Sequence, residues 1–476
     1  MARILFLQKD SYECFGVMYL SAAIKLYGHT SDILIQQEEG SHFLSKIVSC
    51  KPDIIAFSVM TGFQEWVAQT ALIIKKRFGY HIIAGGPHCT FHPEFIQADG
   101  IDAICRGEGE ETLPMYMSAY ESGRGINNIP GWWIKSVRII IKNELFPLNS
   151  NMDDLEYPDR QIYRQRYPYI ISKTNVSILV ARGCPYTCTF CYNSYFKKLF
   201  SPLGSYVRRH SISRVIDEIV TVRKEAGKGL KWISFTDDLF IMDRNWMTLF
   251  LDRYKWEVNL PFGCSLRANL VDEDLIRQLA EAGCKIASFG IETGNDKLRN
   301  EVLNKNISKE QIIKTGQLLC KYNIKYSTFN MFNIPDETVE KAMETIALNL
   351  KIRNKNYPWS GLLQPYYGTD IFKYANKKGL IPEGGTGANF FHKGTIQQPD
   401  TEKLMLINSS FYWIIRFPIL RPIFEFLIKH RIKIFSKPSL LLISFHRNIS
   451  LFYTLEGKSI IYDTIKSGLK RIKSYI

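Results

Sequence analysis

The 476-residue chain has no uninterrupted run of 18 apolar residues, so a membrane-spanning helix is not expected. A secretory signal is not expected either, because residues 2–8 read as a strand that runs at once into polar Lys9 and Asp10. Cysteine is sparse, ten in all with three on one loop, which suits a reducing cytosol and excludes a disulfide framework. Acidic residues are outnumbered, 46 against 61 Lys and Arg, for a net charge of +15. The excess is uneven: residues 401–476 alone hold 13 Lys and Arg against 4 Asp and Glu. No recognised nucleic-acid module or aromatic platform accompanies that charge, so no nucleic-acid partner is expected. With 46% hydrophobic residues, the chain can bury real cores, and its length suggests about three domains.

What the chain does have is concentrated around residues 181–193. The apolar run 177–180 leads past Gly183 and Pro185 into Cys184, Cys188 and Cys191 at CxxxCxxC spacing, a pattern that reads as a buried strand opening into a loop. Three thiolates on one short loop can hold three irons of a cubane cluster and leave the fourth open to bind and reduce a ligand. A structural zinc site would want two close pairs of ligands, and no second Cys or His pair follows. The run Cys184-Pro-Tyr-Thr-Cys188-Thr-Phe-Cys191 resembles the signature of the radical SAM superfamily. The resemblance implies a 4Fe-4S cluster on these cysteines as catalytic and metal-ligating residues. It also implies S-adenosylmethionine chelated at the open iron, and its one-electron cleavage to a 5′-deoxyadenosyl radical.

Over residues 1–125, strand patterns at 3–8, 31–36, 53–59, 81–84 and 102–105 alternate with helical ones at 17–26, 44–49, 66–78 and 111–120. This predicts a doubly wound, Rossmann-like domain with its ligand at the carboxyl ends of the strands. At those ends stand Ser58-Val-Met-Thr61, Gly85-Gly-Pro-His88 and Arg106-Gly-Glu-Gly-Glu110, glycines for close approach and hydroxyls for amides or phosphate. The set resembles the cobalamin-binding domain that precedes many radical SAM enzymes, and it implies cobalamin contacts from Tyr12, Ser58, Thr61, Gly85, Gly86, Pro87 and Glu108. The loop Asp10-Ser-Tyr-Glu-Cys-Phe-Gly16 lacks the His of an Asp-x-His-x-x-Gly motif. The resemblance therefore implies base-off cobalamin with no His ligand from the protein; His88 and His92 are the only imidazoles nearby. Cys14, Cys50 and Cys89 offer a rival, the second cluster of methylthiotransferases. Cys50, however, precedes the strand at 53–59 and falls at its amino end, so the three are expected to be buried apolar residues.

Residues 126–175 read as a linker with a small hairpin at 132–142. Over residues 176–375, strands at 177–182, 232–236, 261–266, 285–291, 325–332 and 361–364 alternate with helices at 211–226, 242–255, 273–282, 308–322 and 337–352. Six repeats predict three-quarters of an eightfold barrel, a partial (β/α)6 TIM-like domain. Its strand ends carry Asp237, Asp238, Arg267, Glu292 and Asn330, the acid, cation and amide types that S-adenosylmethionine needs. By resemblance, Phe190 meets adenine, Asp237 or Asp238 the amino group, Arg267 the carboxylate and Glu292 the ribose, with Asn330 beside them.

Residues 376–476 read as a mostly helical, basic and aromatic substrate-capping domain. Gly384-Gly-Thr-Gly387 reads as a flexible loop, and the Ile-, Leu- and Phe-rich run at 411–445 covers the barrel or touches an anionic membrane. The whole is an α/β protein. The resemblance implies a cobalamin-dependent radical SAM methyltransferase, in which hydrogen abstraction from an unactivated carbon precedes methyl transfer from methylcobalamin. An oxidative cyclase without methyl transfer and an inactive cobalamin carrier are the other readings. The substrate class left open is a small molecule, a lipid or a tetrapyrrole. The expected reductant is flavodoxin or ferredoxin, and the expected location is the cytoplasm, with peripheral membrane contact open.

Overall fold

The run Ile4–Leu7 is buried on both faces, as a strand inside a helix-covered parallel sheet must be. The computed structural model describes residues 1–136, 139–172, 174–353, 357–382 and 396–432. They form two compact units, one built from Met1–Ser172 with Phe200–Tyr206, the other from the rest of the described chain.

In the first unit, β1 (Arg3–Gln8), β2 (Thr30–Ile35), β3 (Ile54–Ser58), β4 (His81–Gly85) and β5 (Ala103–Cys105) run parallel in the order β2-β1-β3-β4-β5. Alternate residues serve two cores: Ile4, Phe6, Ile54 and Ala56 on one face, Leu5, Leu7, Ile55 and Phe57 on the other. A hairpin of β6 (Trp132–Lys135) and β7 (Ile140–Lys142) adds antiparallel to β5, so the stretch read as a linker lends two strands to this sheet. The strand order reverses between β1 and β3, the switch point at which such sheets open a ligand crevice.

In the second unit, β8 (Asn175–Ile178), β11 (Trp232–Phe235), β12 (Phe262–Leu266), β13 (Cys284–Glu292), β14 (Lys325–Phe332) and β15 (Trp359–Leu362) form a parallel six-stranded sheet in that order. The intervening helices start on side-chain caps from Ser211, Asp243, Asp272, Ser308 and Thr338, and Ser308 with Gln311 closes a capping box. This is the expected partial barrel, with one departure. The strand read over 177–182 stops at Ile178, and β9 (Ala181–Arg182) instead pairs antiparallel with β10 (Arg208–Arg209). The cause is Asp237, whose carboxylate accepts the Val180 and Ala181 N–H groups and draws them off the sheet.

The outer face of this sheet is apolar and packs on the helices through Val176, Ile178, Ile233, Phe235, Leu266 and Phe289. Its inner face is different: Ser177 registers with Ser234, and Ser265 with Ser288 and Ser327. Closed barrels fill this space with branched aliphatics; here Ser177, Ser265 and Ser288 put small, partly exposed hydroxyls on it.

The helix Thr401–Arg416 covers the β14–β15 end, packing Leu404, Ile407 and Phe411 on Phe332 and Ile346. Gly384–Gly387 and everything after Ile432 lie outside the described residues. Among the described residues no helix is long and apolar enough to cross a membrane.

The turn after β14 buries a carboxyl. One oxygen of Glu337 accepts the Ile334 N–H at 3.2 Å, the other has no partner, and burial pushes its pKa up to about 8 from 4.5. The folded state therefore holds a proton that the unfolded chain releases. The stabilising contribution is complete below about 4.5 and is lost as pH rises through about 8. Glu337→Gln keeps the acceptor and removes the titration. The variant should melt above the wild type at pH 8.5, by about 2–4 °C for each kcal/mol, and level with it near pH 5. Parallel melting curves across that range would sink the assignment.

Candidate active site

The cysteine loop leaves β9 through Gly183, whose φ of +87° favours glycine. Two side chains pin it to the segment before the helix Lys309–Lys321. Thr189 donates to the Val302 carbonyl at 2.7 Å, and Asn304 Nδ2 donates to the Thr187 carbonyl at 3.0 Å. Cys188 is buried, and Cys184 and Cys191 are half-buried. Burial first, then the charges of Asp238 and the other two thiols, push Cys191 up to about 11; burial also raises Cys184. Thiols held this way stay protonated until a cation reverses the local field. Among the described residues no three His, Cys, Asp or Glu side chains converge as a single metal ion requires. A cubane asks only for one thiol at each of three irons, and three thiols that feel one another across one loop fit that demand.

Arg267, at the end of β12, lies against this loop. Its guanidinium stacks 3.6 Å over the Tyr186 ring, donates to Cys188 Sγ at 3.7 Å, and donates to the Lys305 carbonyl. At the end of β13, Glu292 takes a φ of +66° and pairs with Lys305 Nζ at 2.5 Å, both side chains about nine-tenths buried. The pair crosses Gly290, where a Cβ would stand 2.0 Å from Glu292 Oε1 and 2.7 Å from Lys305 Nζ, so any side chain there would displace the pair. Lys305 Nζ also sits 5.9 Å from the Phe190 ring centroid. Cys188, Phe190, Arg267, Glu292 and Lys305 are thereby linked in one chain of contacts.

The two aspartates divide. Asp237 Oδ1 accepts backbone N–H groups from Val180 at 3.0 Å and Ala181 at 2.6 Å, and burial pushes its pKa up to about 7. Asp238 instead faces the cysteines, where its charge raises both Cys184 and Cys191. The Asn330 amide is taken up by the fold: it donates to the Trp359 carbonyl at 2.9 Å and accepts from Asn349 Nδ2 at 2.8 Å. Lys305 and Asn304 escaped the sequence reading. The signal was Asn304-Lys305-Asn306 ahead of the capping box, since both asparagines take left-handed φ values, 49° and 53°.

In the first unit, Ser58, Thr61, Gly85, Gly86 and Pro87 gather at the carboxyl ends of adjacent β3 and β4. Gly86 has a φ of +91°, and a Cβ there would lie 3.0 Å from the Val59 nitrogen and 3.3 Å from Ser58 Oγ, which makes a flat, close backbone edge. Thr61 Oγ1 bonds His88 Nδ1 at 3.1 Å, and His88 stacks on His92 at 4.6 Å. Burial pushes His88 down to about 3, so the ring is neutral. Tyr12 lies on the loop after β1, its carbonyl accepting from Gln8 Nε2 at 2.8 Å, and Glu108 lies on the loop after β5. This hydroxyl- and glycine-lined edge at the switch point fits a large planar cofactor. Cys14, Cys50 and Cys89 do not gather. Cys50 donates to Asp32 Oδ2 at 3.8 Å just ahead of β3, Cys14 lies 4.0 Å from Ser58 Oγ beyond the other end of that strand, and Cys89 is fully buried.

Two families match in tandem: the B12 binding domain over residues 10–116 and the radical SAM superfamily over residues 178–348. An uncharacterized methyltransferase of Pyrococcus horikoshii is 28% identical over 77% of this chain and 79% of its own. An anaerobic magnesium-protoporphyrin IX monomethyl ester cyclase of Rubrivivax gelatinosus is 28% identical over 76% of this chain, which spans 66% of the cyclase. The fold is shared with the radical S-adenosylmethionine methyltransferase TsrM of Kitasatospora setae, solved with cobalamin and a 4Fe-4S cluster. That match has a TM-score of 0.68 at 14% identity over 88% of this chain and 90% of that one. A B12 binding domain ahead of a radical SAM domain with its three-cysteine loop gives the chain the two-domain plan of cobalamin-dependent radical SAM enzymes.

Proposed function

We propose that this enzyme methylates an unactivated carbon of a small organic or tetrapyrrole substrate. Residues 1–125 hold base-off cobalamin, 126–175 connect, 176–375 carry the cluster and S-adenosylmethionine, and 376–476 cap the substrate. The observation that carries the reading is the tie between the cysteine loop and a buried cation and acid, Arg267 on Cys188 and Glu292 on Lys305, in a chain with both family domains.

When bound, the cluster with S-adenosylmethionine supplies a 5′-deoxyadenosyl radical, and cobalamin supplies the methyl group. The residues bind and orient. Asp238, facing the cysteines, takes the ammonium of S-adenosylmethionine, and Arg267 its carboxylate. Glu292, held in place by its ion pair with Lys305, accepts from a ribose hydroxyl, and Phe190 lies along the adenine. Asp237 keeps the loop's backbone in place, and Asn330 stiffens β14 against β15. Tyr12, Ser58, Thr61, Gly85, Gly86, Pro87 and Glu108 cradle cobalamin, while His88, neutral and bonded to Thr61, stays off cobalt. A flavodoxin or ferredoxin supplies the electron in the cytoplasm. Phe417, Ile419, Ile423 and Phe426 are exposed among basic residues, which supports peripheral contact with an anionic membrane.

Anaerobic reconstitution with iron, sulfide and hydroxocobalamin tests this. About four irons with equimolar cobalt, and 5′-deoxyadenosine after reduction with S-adenosylmethionine, are expected. Iron without cobalt removes the cobalamin assignment, and twice the iron points to an N-terminal cluster and a methylthiotransferase. The likeness to the cyclase favours a second reading, oxidative ring closure, and a product with no added carbon would establish it. Gly86→Ala should lower cobalt binding roughly tenfold, since a Cβ at that φ strains the edge by about 1–3 kcal/mol, and leave iron content unchanged. Equal cobalt loading would show that this edge does not meet the cofactor.

A further inference from the structure

The inner face of the half-barrel carries two exposed aromatic rings that no role above uses. Along β14, Tyr326, Thr328, Asn330 and Phe332 point outward. Tyr326 donates to the Ile352 carbonyl, Thr328 Oγ1 bonds Asn349 Oδ1 at 2.8 Å, Asn330 bonds Asn349, and Phe332 packs on Phe411 at 5.2 Å. The two-residue period of a strand then sets Ser327, Phe329 and Met331 on the inner face. Phe329 registers with Trp359 of β15, and the two are 44% and 38% exposed. On the other side Phe329 registers with Gly290, in the row just beyond the Leu266–Phe289 pair and so level with Arg267. The aromatic pair therefore stands at the depth where the cation and the acid of the site begin.

We propose that Phe329 and Trp359 form a stacking wall for a planar, conjugated ring of the substrate, with inner-face serines bonding the ring's heteroatoms. The proposal rests on the reading that chemistry occurs at this edge of the half-barrel, and it narrows the substrate class. An acyl chain would cover the partly exposed Ser265 and Ser288 with nothing to bond, and every hydroxyl left that way costs binding. A heteroatom-bearing ring offers its face to the aromatics and its edge to the serines. Aromatic faces of Phe and Trp favour offset or edge contact with a second π-system over an alkyl chain of equal area.

The test uses full-length reconstituted protein without reductant and with two planar probes, protoporphyrin IX and tryptophan, followed by absorbance and equilibrium dialysis. Palmitate is the competing acyl probe. Phe329→Leu and Trp359→Leu preserve most of the volume, and iron content and melting temperature confirm that each variant is folded. At least one planar probe should bind the wild type and lose affinity roughly tenfold in each variant, with S-adenosylmethionine binding unchanged within about twofold. Three results would overturn the wall. They are no binding of either planar probe, an equal loss of S-adenosylmethionine affinity, which would assign the pair to the nucleoside, and palmitate binding that is tighter and equally sensitive to the variants. Because the readout needs no turnover, a protein that binds the ring yet makes no 5′-deoxyadenosine would sink the methylation reading and leave the wall standing.

Discussion

Cys184→Ala, Cys188→Ala and Cys191→Ala should each reduce iron loading to background and abolish 5′-deoxyadenosine formation, with the triple variant no worse than any single one. Groups that act as a unit lose their function together, so removing one costs about as much as removing all. The fold should survive. Thr189 and Asn304 pin the loop through groups other than the thiols, and deleting one sulfur, buried at Cys188 and half-buried at Cys184 and Cys191, costs on the order of 1 kcal/mol. Cys264 and Cys284 provide the control. They lie 4.0 Å apart on adjacent strands, with Cys264 in the outer-face core, and Cys264→Ala should leave iron untouched. The metal-free protein offers a second readout. Because burial and neighbouring charge push Cys191 up to about 11, its alkylation should be slow at pH 8 and accelerate toward pH 11. Retained iron in any single alanine variant, or fast alkylation of Cys191 at pH 8 without metal, would contradict the site.

Much of this was legible in the order of residues because the decisive signals are local. The helices at 212–226, 273–281 and 309–321 begin on Ser211, Asp272 and Ser308, caps that lie beside the turns they start. The strands at 262–266 and 325–332 lie within a residue of their apolar runs. What was not legible depends on contacts between distant residues. Nothing in 177–182 says that Asp237, more than fifty residues later, will take two of its N–H groups and end the strand. The same holds for Asn330, whose amide looks available at a strand end until Asn349 and Trp359 fill both its sides. Lys305 reads as one surface lysine among many, and only the path of the 302–307 segment across Gly290 turns it inward onto Glu292.

That inward turn carries the second large effect. Glu292→Gln should destabilise the second unit by about 3–5 kcal/mol, because it leaves the Lys305 ammonium buried with no countercharge. Lys305→Met should do the same through the stranded carboxylate. Combining them removes both charges, and the double variant should recover most of the loss, as replacement of a buried ion pair by uncharged groups is often neutral. The coupling between the two substitutions should therefore be strongly non-additive in denaturant unfolding. Glu292 also pays a conformational penalty of about 1–2 kcal/mol for its left-handed φ. A non-glycine residue persists in that state only where the surroundings hold it, and such positions cluster at functional sites. Stability and binding should thus separate in the double variant: it folds, yet its affinity for S-adenosylmethionine falls, since the carboxylate that meets the ribose is gone. Additive losses in the double variant would mean the two charges do not depend on one another. Wild-type affinity in a folded double variant would mean that the buried pair serves the half-barrel and not the cofactor.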